Sequence, residues 1–101
     1  MDYRILSKVI GFNWDFHNLV KNQIKHQVEP GECEELFFNK PLVIVQDTKH
    51  SGQEDRYHAL GITDAGRVLL VVFTLRELKI RVISSRDGSR KERSTYEKHQ
   101  V

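Results

Sequence analysis

Six consecutive apolar residues, Val68-Leu-Leu-Val-Val-Phe73, follow Gly66-Arg67 and run into Thr74 without a polar interruption. A stretch this short, rich in β-branched side chains and bounded by a turn signal, reads as a strand rather than a helix. Because its apolar residues do not alternate with polar ones, it has no face to offer to water. It must lie inside a sheet with both faces covered. The flanking sequence supplies the neighbours. Arg56 to Ile62 is a plausible strand, joined through the Asp64-Ala65-Gly66 turn to a strand over Arg67 to Thr74. Leu75 to Leu78 turns the chain again, and Lys79 to Ser85 completes a meander. Connections this short force the three strands to be antiparallel.

The β-rich segment Leu42 to Asp47 adds a fourth strand, and Lys8 to Phe12 is a possible fifth. Helical spacing appears between them. Asp15 suits an N-cap, with Phe16, Leu19, Val20 and Ile24 on one stripe, Asn18, Asn22 and Lys25 on the opposite face, and an end near His26. Phe16, Leu19 and Ile24 are expected to pack against the sheet. Pro30 suits the first position of a second helix, where its missing N–H costs nothing. Glu32, Glu34 and Glu35 complement that helix's positive end, Cys33, Leu36 and Phe37 make its apolar face, and Asn39-Lys40-Pro41 stops it. Ser89-Arg-Lys-Glu92 is a capping box that opens a third helix to about Lys98. The expected class is α+β: two N-terminal helices, a four-stranded antiparallel sheet with a possible fifth N-terminal strand, and a C-terminal basic helix, all in a single domain over residues 1–101.

Composition removes several function classes. The apolar runs fall far short of the ~20 residues that span a bilayer, and residues 1–8 lack the apolar stretch and small-residue site of a signal peptide. One cysteine, Cys33, makes neither an intrachain disulfide nor a thiolate zinc site. A small cytoplasmic domain is expected. His17, His26, His58 and His99 show no metal-ligand spacing, so neither a metal nor another cofactor is expected. No glycine-rich phosphate loop, nucleophile elbow or dinucleotide fingerprint is present.

Charge is unevenly distributed. Residues 29–64 carry eight acidic and three basic groups, whereas residues 76–101 carry eight basic and four acidic. A basic C-terminal quarter fits a polyanion, or equally a solvated helix balanced by the acidic middle. Within the Asp47-to-Arg56 turn, His50 and Glu54 can move protons and Arg56 can hold a phosphate bidentately. Any polar hairpin also contains such residues. Strand alternation places Arg56 on one face with Glu54 and His58, and puts Arg81 opposite Ile80 and Val82. Arg56 and Arg81 can converge on an anion, or pair with Glu54, Asp55 or Glu77. Arg86, Arg90, Lys91 and Arg93 are the densest basic cluster, and Tyr96 is the only aromatic ring beside them. Basic groups with a stackable ring suit an RNA backbone. With that single ring as its anchor, the third helix is expected to be only marginally held. Trp14 is read as a core or hinge residue and Cys33 as a small buried side chain.

Taken together, several segments resemble the BrnT family of type II toxins. They are Phe12-Asn-Trp14-Asp15, Asn22, Lys25-His26, Glu35-Leu-Phe37, Asp47-Thr-Lys-His50-Ser51 and Glu54-Asp-Arg56-Tyr57. Ala59-Leu60-Gly61, Gly66-Arg67, Val71-Val72-Phe73-Thr74, Ile80-Arg81-Val82-Ile83-Ser84, Arg86 and Lys91-Glu92-Arg93-x-x-Tyr96 continue the match, in order, over about residues 12–97. The resemblance implies a RelE-like fold and a metal-independent endoribonuclease that arrests growth by cutting RNA. It also implies neutralisation by a BrnA-type ribbon-helix-helix antitoxin, through which the complex meets operator DNA. Among residues, side-chain chemistry makes His50 or Glu54 the candidates for proton transfer and Arg56 and Arg81 for the phosphorane. Lys25, Arg67, Arg86, Arg90, Lys91, Arg93 and Tyr96 are the candidates for holding RNA. Asn18 stands where the family usually has lysine, Gln27 where it has glycine after Lys-His, and Pro30-Gly31 where it has a more helical start. A second function stays open at this point: a non-catalytic toxin-like module that only binds its antitoxin and tunes repression.

Overall fold

The structure, a computed structural model, describes residues 3–49, 52 and 54–100, with the side chains of 3, 4 and 22–24 excepted. After a 3₁₀ turn at Tyr3–Leu6 come β1 (Gly11–Asn13), α1 (Phe16–His26), α2 (Pro30–Leu36), β2 (Val43–Asp47), β3 (Arg56–Ile62), β4 (Val68–Arg76), β5 (Lys79–Asp87) and α3 (Arg90–Lys98). The sheet order is β1-β5-β4-β3-β2. The uninterrupted apolar segment is thus β4, the middle strand, paired antiparallel to β3 and to β5. An N-terminal strand exists, at Gly11–Asn13 rather than Lys8 to Phe12, and runs parallel to β5, so the five-stranded sheet is mixed.

Local signals set the element ends. Asp15 Oδ1 accepts the N–H groups of His17 at 2.8 Å and Asn18 at 3.3 Å, capping α1. Pro30 opens α2 behind a capping box made by Glu29 and Glu32, and Ser89 with Glu92 forms the capping box of α3. Strand β4 outlasts its apolar run by three residues, so Glu77 and Leu78 alone turn the chain, both with positive φ. That is the two-residue hairpin geometry compatible with strand twist.

Alternation along β4 divides the interior into two layers. Leu69, Val71 and Phe73 point to one face, where they meet Ala59, Val82, Leu36, Cys33 and Val28, with Ile5, Leu6 and Val9 packed alongside. Phe73 stacks on Tyr57 at 5.5 Å and meets Phe37 edge-on at 5.3 Å. The approach of α2 is close: a Cβ on Gly61 would lie 2.8 Å from Leu36 Cγ. Leu60 and Leu70 point to the other face and are covered by Tyr96 of α3. The expected role of α1 needs correction here. Phe16 is 79% exposed, Leu19 is half-buried, and the side chain of Ile24 lies outside the described residues. The helix runs along β5 and shields the sheet with only part of its apolar stripe.

Gln27, just past the last residue of α1, has φ 54°. A left-handed residue at a helix C-terminus favours glycine, and a side chain there costs about 1 kcal/mol. Gln27→Gly should therefore raise stability by about 1 kcal/mol, read as a higher denaturant midpoint at unchanged m-value.

Candidate active site

Side chains on the α3 side of the sheet fall in rows fixed by strand register. Asp47, Arg56, Thr74 and Arg81 are successive partners across β2, β3, β4 and β5. One step nearer α3, the row is Val45, His58, Val72 and Ser84. A bulge makes this arrangement possible. Val72 faces Ser84 and Phe73 faces Val82, which leaves Ile83 as the extra residue on β5. An extra residue reverses the alternation, so the strand presents Ser85 to the core at one end and Arg81 to the open face at the other.

That open end forms a groove of about 440 Å³, lined by Asn18, Glu54, Arg56, Thr74, Arg76 and Arg81 and backed by Gly52 and Ile83. Its arginines are held by carboxylates. Arg81 Nη2 donates to Asp15 Oδ2 at 2.8 Å, and Asn18 Nδ2 donates to the Val82 carbonyl at 3.4 Å. Arg76 Nε donates to Glu54 Oε2 at 3.3 Å, and its Nη2 bonds the other oxygen of the same carboxylate. Thr74 Oγ1 donates to the Asp55 carbonyl at 2.7 Å, tying the segment before β3 to the middle strand. The Arg76 guanidinium holds the Glu54 carboxyl below its ordinary range. Asp15 is held low first by the Asn18 and His17 N–H groups of the cap, then by Arg81. Glu54 is therefore an ionised acceptor across the neutral range, and a weak base.

Of the proton-transfer and phosphorane candidates, Glu54, Arg56 and Arg81 meet in this groove, while His50 lies outside the described residues. The pairing foreseen for Arg81 exists, but its partner is Asp15 rather than Glu54, Asp55 or Glu77. Arg67 is elsewhere. Its guanidinium donates to both Asp87 oxygens at 2.6 and 3.1 Å, to Glu32, and to the carbonyls of His26 and Gln27 at the end of α1. These bonds, first among them the one to Asp87, raise its pKa and leave it no donor for RNA.

The α3 candidates also divide. Arg86 binds the Glu92 carboxylate through two bonds of 2.7 and 3.1 Å, and Arg93 Nη1 donates to the Gly88 carbonyl at 2.7 Å. Tyr96 is buried, with its hydroxyl donating to the Pro41 carbonyl at 2.7 Å, so its ring offers no stacking face. A helix with a capping box, a doubly bonded Arg86–Glu92 pair and a buried ring is better held than one ring alone suggested. Lys25, Arg90 and Lys91 are exposed.

Two contributors escaped the sequence. Arg76 fell in the expected turn, and only the continuation of β4 puts it two residues beyond Thr74 on the same face. His58 Nε2 lies 2.9 Å from Asp47 Oδ2, a pairing visible only once Asp47 is set opposite Arg56. Among the described residues, no three His, Cys, Asp or Glu side chains are grouped to hold a metal ion. None of the described helices is long and apolar enough to cross a membrane.

The family model described as "Ribonuclease toxin, BrnT, of type II toxin-antitoxin system" matches residues 14–92. The chain belongs to the BrnT family. It is thus an endoribonuclease toxin of a type II toxin–antitoxin system, a class defined by a cognate antitoxin and an RNA substrate. The crystal structure of the Brucella abortus ribonuclease toxin BrnT, at 21% identity, superposes with a TM-score of 0.62 over 81% of this chain and 100% of that one. The α+β fold is accordingly that of a BrnT toxin. No curated protein sequence matches the chain. The groove residues from Asp15 to Arg81 all fall inside the family match, whereas Tyr3–Leu6, β1 and the last part of α3 lie outside it.

Glu92 gives this BrnT fold a measurable acid response. Arg86, helped by the Ser89 N–H, lowers its pKa from 4.5 to about 2. A carboxyl lowered on folding stabilises fully above its unfolded value and loses that contribution as pH falls through the folded one. The stability difference between wild type and Glu92→Gln should be constant above about pH 5 and shrink toward zero as pH falls from 4.5 to about 2, read from denaturant midpoints.

Proposed function

We propose that the groove over β3, β4 and β5 is where RNA is cut. In this reading the 2′-OH attacks the adjacent phosphorus, the 5′-oxygen leaves, and no metal ion takes part. The observation that carries it is the row Arg56–Thr74–Arg81, which puts two guanidinium groups on one sheet face, either side of the buried Thr74. A phosphorane gathers negative charge on its non-bridging oxygens, and planar guanidinium groups meet such oxygens bidentately. On this reading the scissile phosphate takes over the place now held by carboxylates such as Asp15, and the exposed cations Lys25, Arg90 and Lys91 track flanking phosphates. Arg67, Arg86 and Tyr96 instead keep the scaffold together. The Asp15-capped end of α1 fixes where Arg81 stands.

Membership of the BrnT family supports the proposed biology of the toxin. The toxin acts in the cytoplasm, where its RNA substrate is, and arrests growth until bound. Its antitoxin is of the BrnA type, with a ribbon-helix-helix fold that also carries the complex to operator DNA. Against the non-catalytic alternative stands membership of a ribonuclease toxin family.

Arg56→Ala and Arg81→Ala should each lower the cleavage rate about a hundredfold, with an unchanged circular dichroism spectrum. EDTA should leave the wild-type rate unaltered. Activity lost in EDTA and regained with magnesium would overturn the metal-free mechanism. The double variant Arg90→Ala/Lys91→Ala should keep the fold but flatten the dependence of RNA affinity on salt, with a log–log slope smaller by about 1. An identical slope would remove α3 from the RNA path.

A further inference from the structure

The geometry points to His58, oriented by Asp47, as the general base of RNA cleavage. The inference rests on the groove being where RNA is cut. Ribonuclease chemistry of this kind needs a group that removes the 2′-OH proton, and Glu54 is poorly suited because Arg76 occupies both its oxygens and lowers its basicity. His58 stands two residues along β3 from Arg56 and shares its face. Its nearest row-mates, Val45 and Val72, are hydrocarbon, so they offer the ring no hydrogen bond. The ring instead reaches along the strand to Asp47, which lies opposite Arg56 in the register. That reach commits the Nε2 edge of the ring to Asp47 and leaves Nδ1 as the edge outside that bond.

Tautomer and distance both suit the role. Asp47 is only 11% exposed and its Oδ2 lies 2.9 Å from Nε2, which favours a proton on Nε2 and leaves the Nδ1 lone pair available. The imidazole side chain is 40% exposed, and Nδ1 has no bonding partner among the described residues. Residues two apart on a strand are separated by about 7 Å. In the proposed complex the phosphorus sits over the step between Arg56 and His58, where a 2′-oxygen about 3 Å from it can meet the Nδ1 edge of the ring. In the step, the 2′-oxygen–phosphorus bond forms as the 2′-OH proton passes to Nδ1. The phosphorus–5′-oxygen bond breaks, the departing oxygen keeps its electron pair, and it takes a proton from water. The products are a 2′,3′-cyclic phosphate and a 5′-hydroxyl, and Asp47 stabilises the imidazolium. Asp47 acts through His58 and is a positioning residue.

Chemical rescue separates this role from a structural one, because the ring is exposed enough for a free imidazole to replace it. Purified chain free of antitoxin is assayed on a mixed-sequence RNA oligonucleotide, with His58→Ala, His58→Gln, Asp47→Asn and Arg81→Ala compared with wild type. His58→Ala should cleave about a hundredfold more slowly, bind a 2′-deoxy analogue as wild type does, and recover much of its rate on adding imidazole. His58→Gln should be folded, equally slow, and unrescued. Asp47→Asn should lower the rate without weakening analogue binding. Wild-type cleavage by His58→Ala, or a loss that imidazole does not restore, overturns the base assignment. If Arg81→Ala is slow in that case, the groove remains the cleavage site. If Arg81→Ala and both His58 variants all cleave normally, or wild type cleaves no RNA, the groove reading fails and this inference with it.

Discussion

The apolar run that becomes β4 must be dry on both faces, and the two covers available to it are unequal. One face receives α2 and the N-terminal segment, which bring Val28, Cys33, Leu36, Ile5, Leu6 and Val9. The other receives α3, whose single large apolar group is Tyr96. One buried ring covers Leu60 and Leu70 but cannot extend over nine residues of strand. The far half of that face is left to polar side chains, and this is where Thr74, Arg56 and Arg81 stand in a row. The groove is thus the uncovered remainder of a sheet whose middle strand had to be buried.

The bulge at Ile83 turns that remainder into a charged site. Counted from the Val71–Ser85 pair without an extra residue, Thr74 would face Val82, and Arg81 would fall opposite Leu75 on the core side. An arginine there would take the core place that Ile80 now fills, at a cost of several kcal/mol. The bulge lets one strand keep Ser85 inward and Arg81 outward. It also explains why Ile83 and Ser84, adjacent in sequence, are both half-buried rather than alternating. Bulges next to functional groups commonly re-aim side chains in this way.

Sequence periodicity carried the scaffold further than it carried the site. The central position of β4, the antiparallel meander, the Asp15 cap, Pro30 at the start of α2 and the Ser89–Glu92 box were all legible, because each depends on residues close in sequence. The parallel pairing of β1 was not legible, since three residues carry no record of which edge they join. The exposure of Phe16 was missed because helical spacing says which side chains share a stripe, not how much of the stripe finds a partner. The convergence of Arg56 and Arg81 followed from alternation, but the carboxylates that hold the arginines did not. Asp15–Arg81, Glu54–Arg76 and Asp47–His58 span 66, 22 and 11 positions and depend on register. Gln27 was legible as a departure from the resemblance, and its physical meaning, a left-handed backbone, came only with φ.

Each identified guanidinium–carboxylate pair in the groove also has a consequence for how RNA is handled. Arg81 and Arg76 are oriented by Asp15 and Glu54 before any substrate arrives, so their side-chain entropy is already spent. The same carboxylates cancel much of the local field, so the groove itself attracts a polyanion weakly. Long-range attraction, on the proposed mechanism, falls to exposed cations away from it, on α1 and α3, where Lys25, Arg90 and Lys91 stand. On the proposed mechanism, a phosphate gains from the arginines only by exchanging with a carboxylate. Binding strength is thereby separated from catalytic geometry: distant cations set affinity and its salt dependence, while the paired arginines act on the charge that develops as the phosphorane forms.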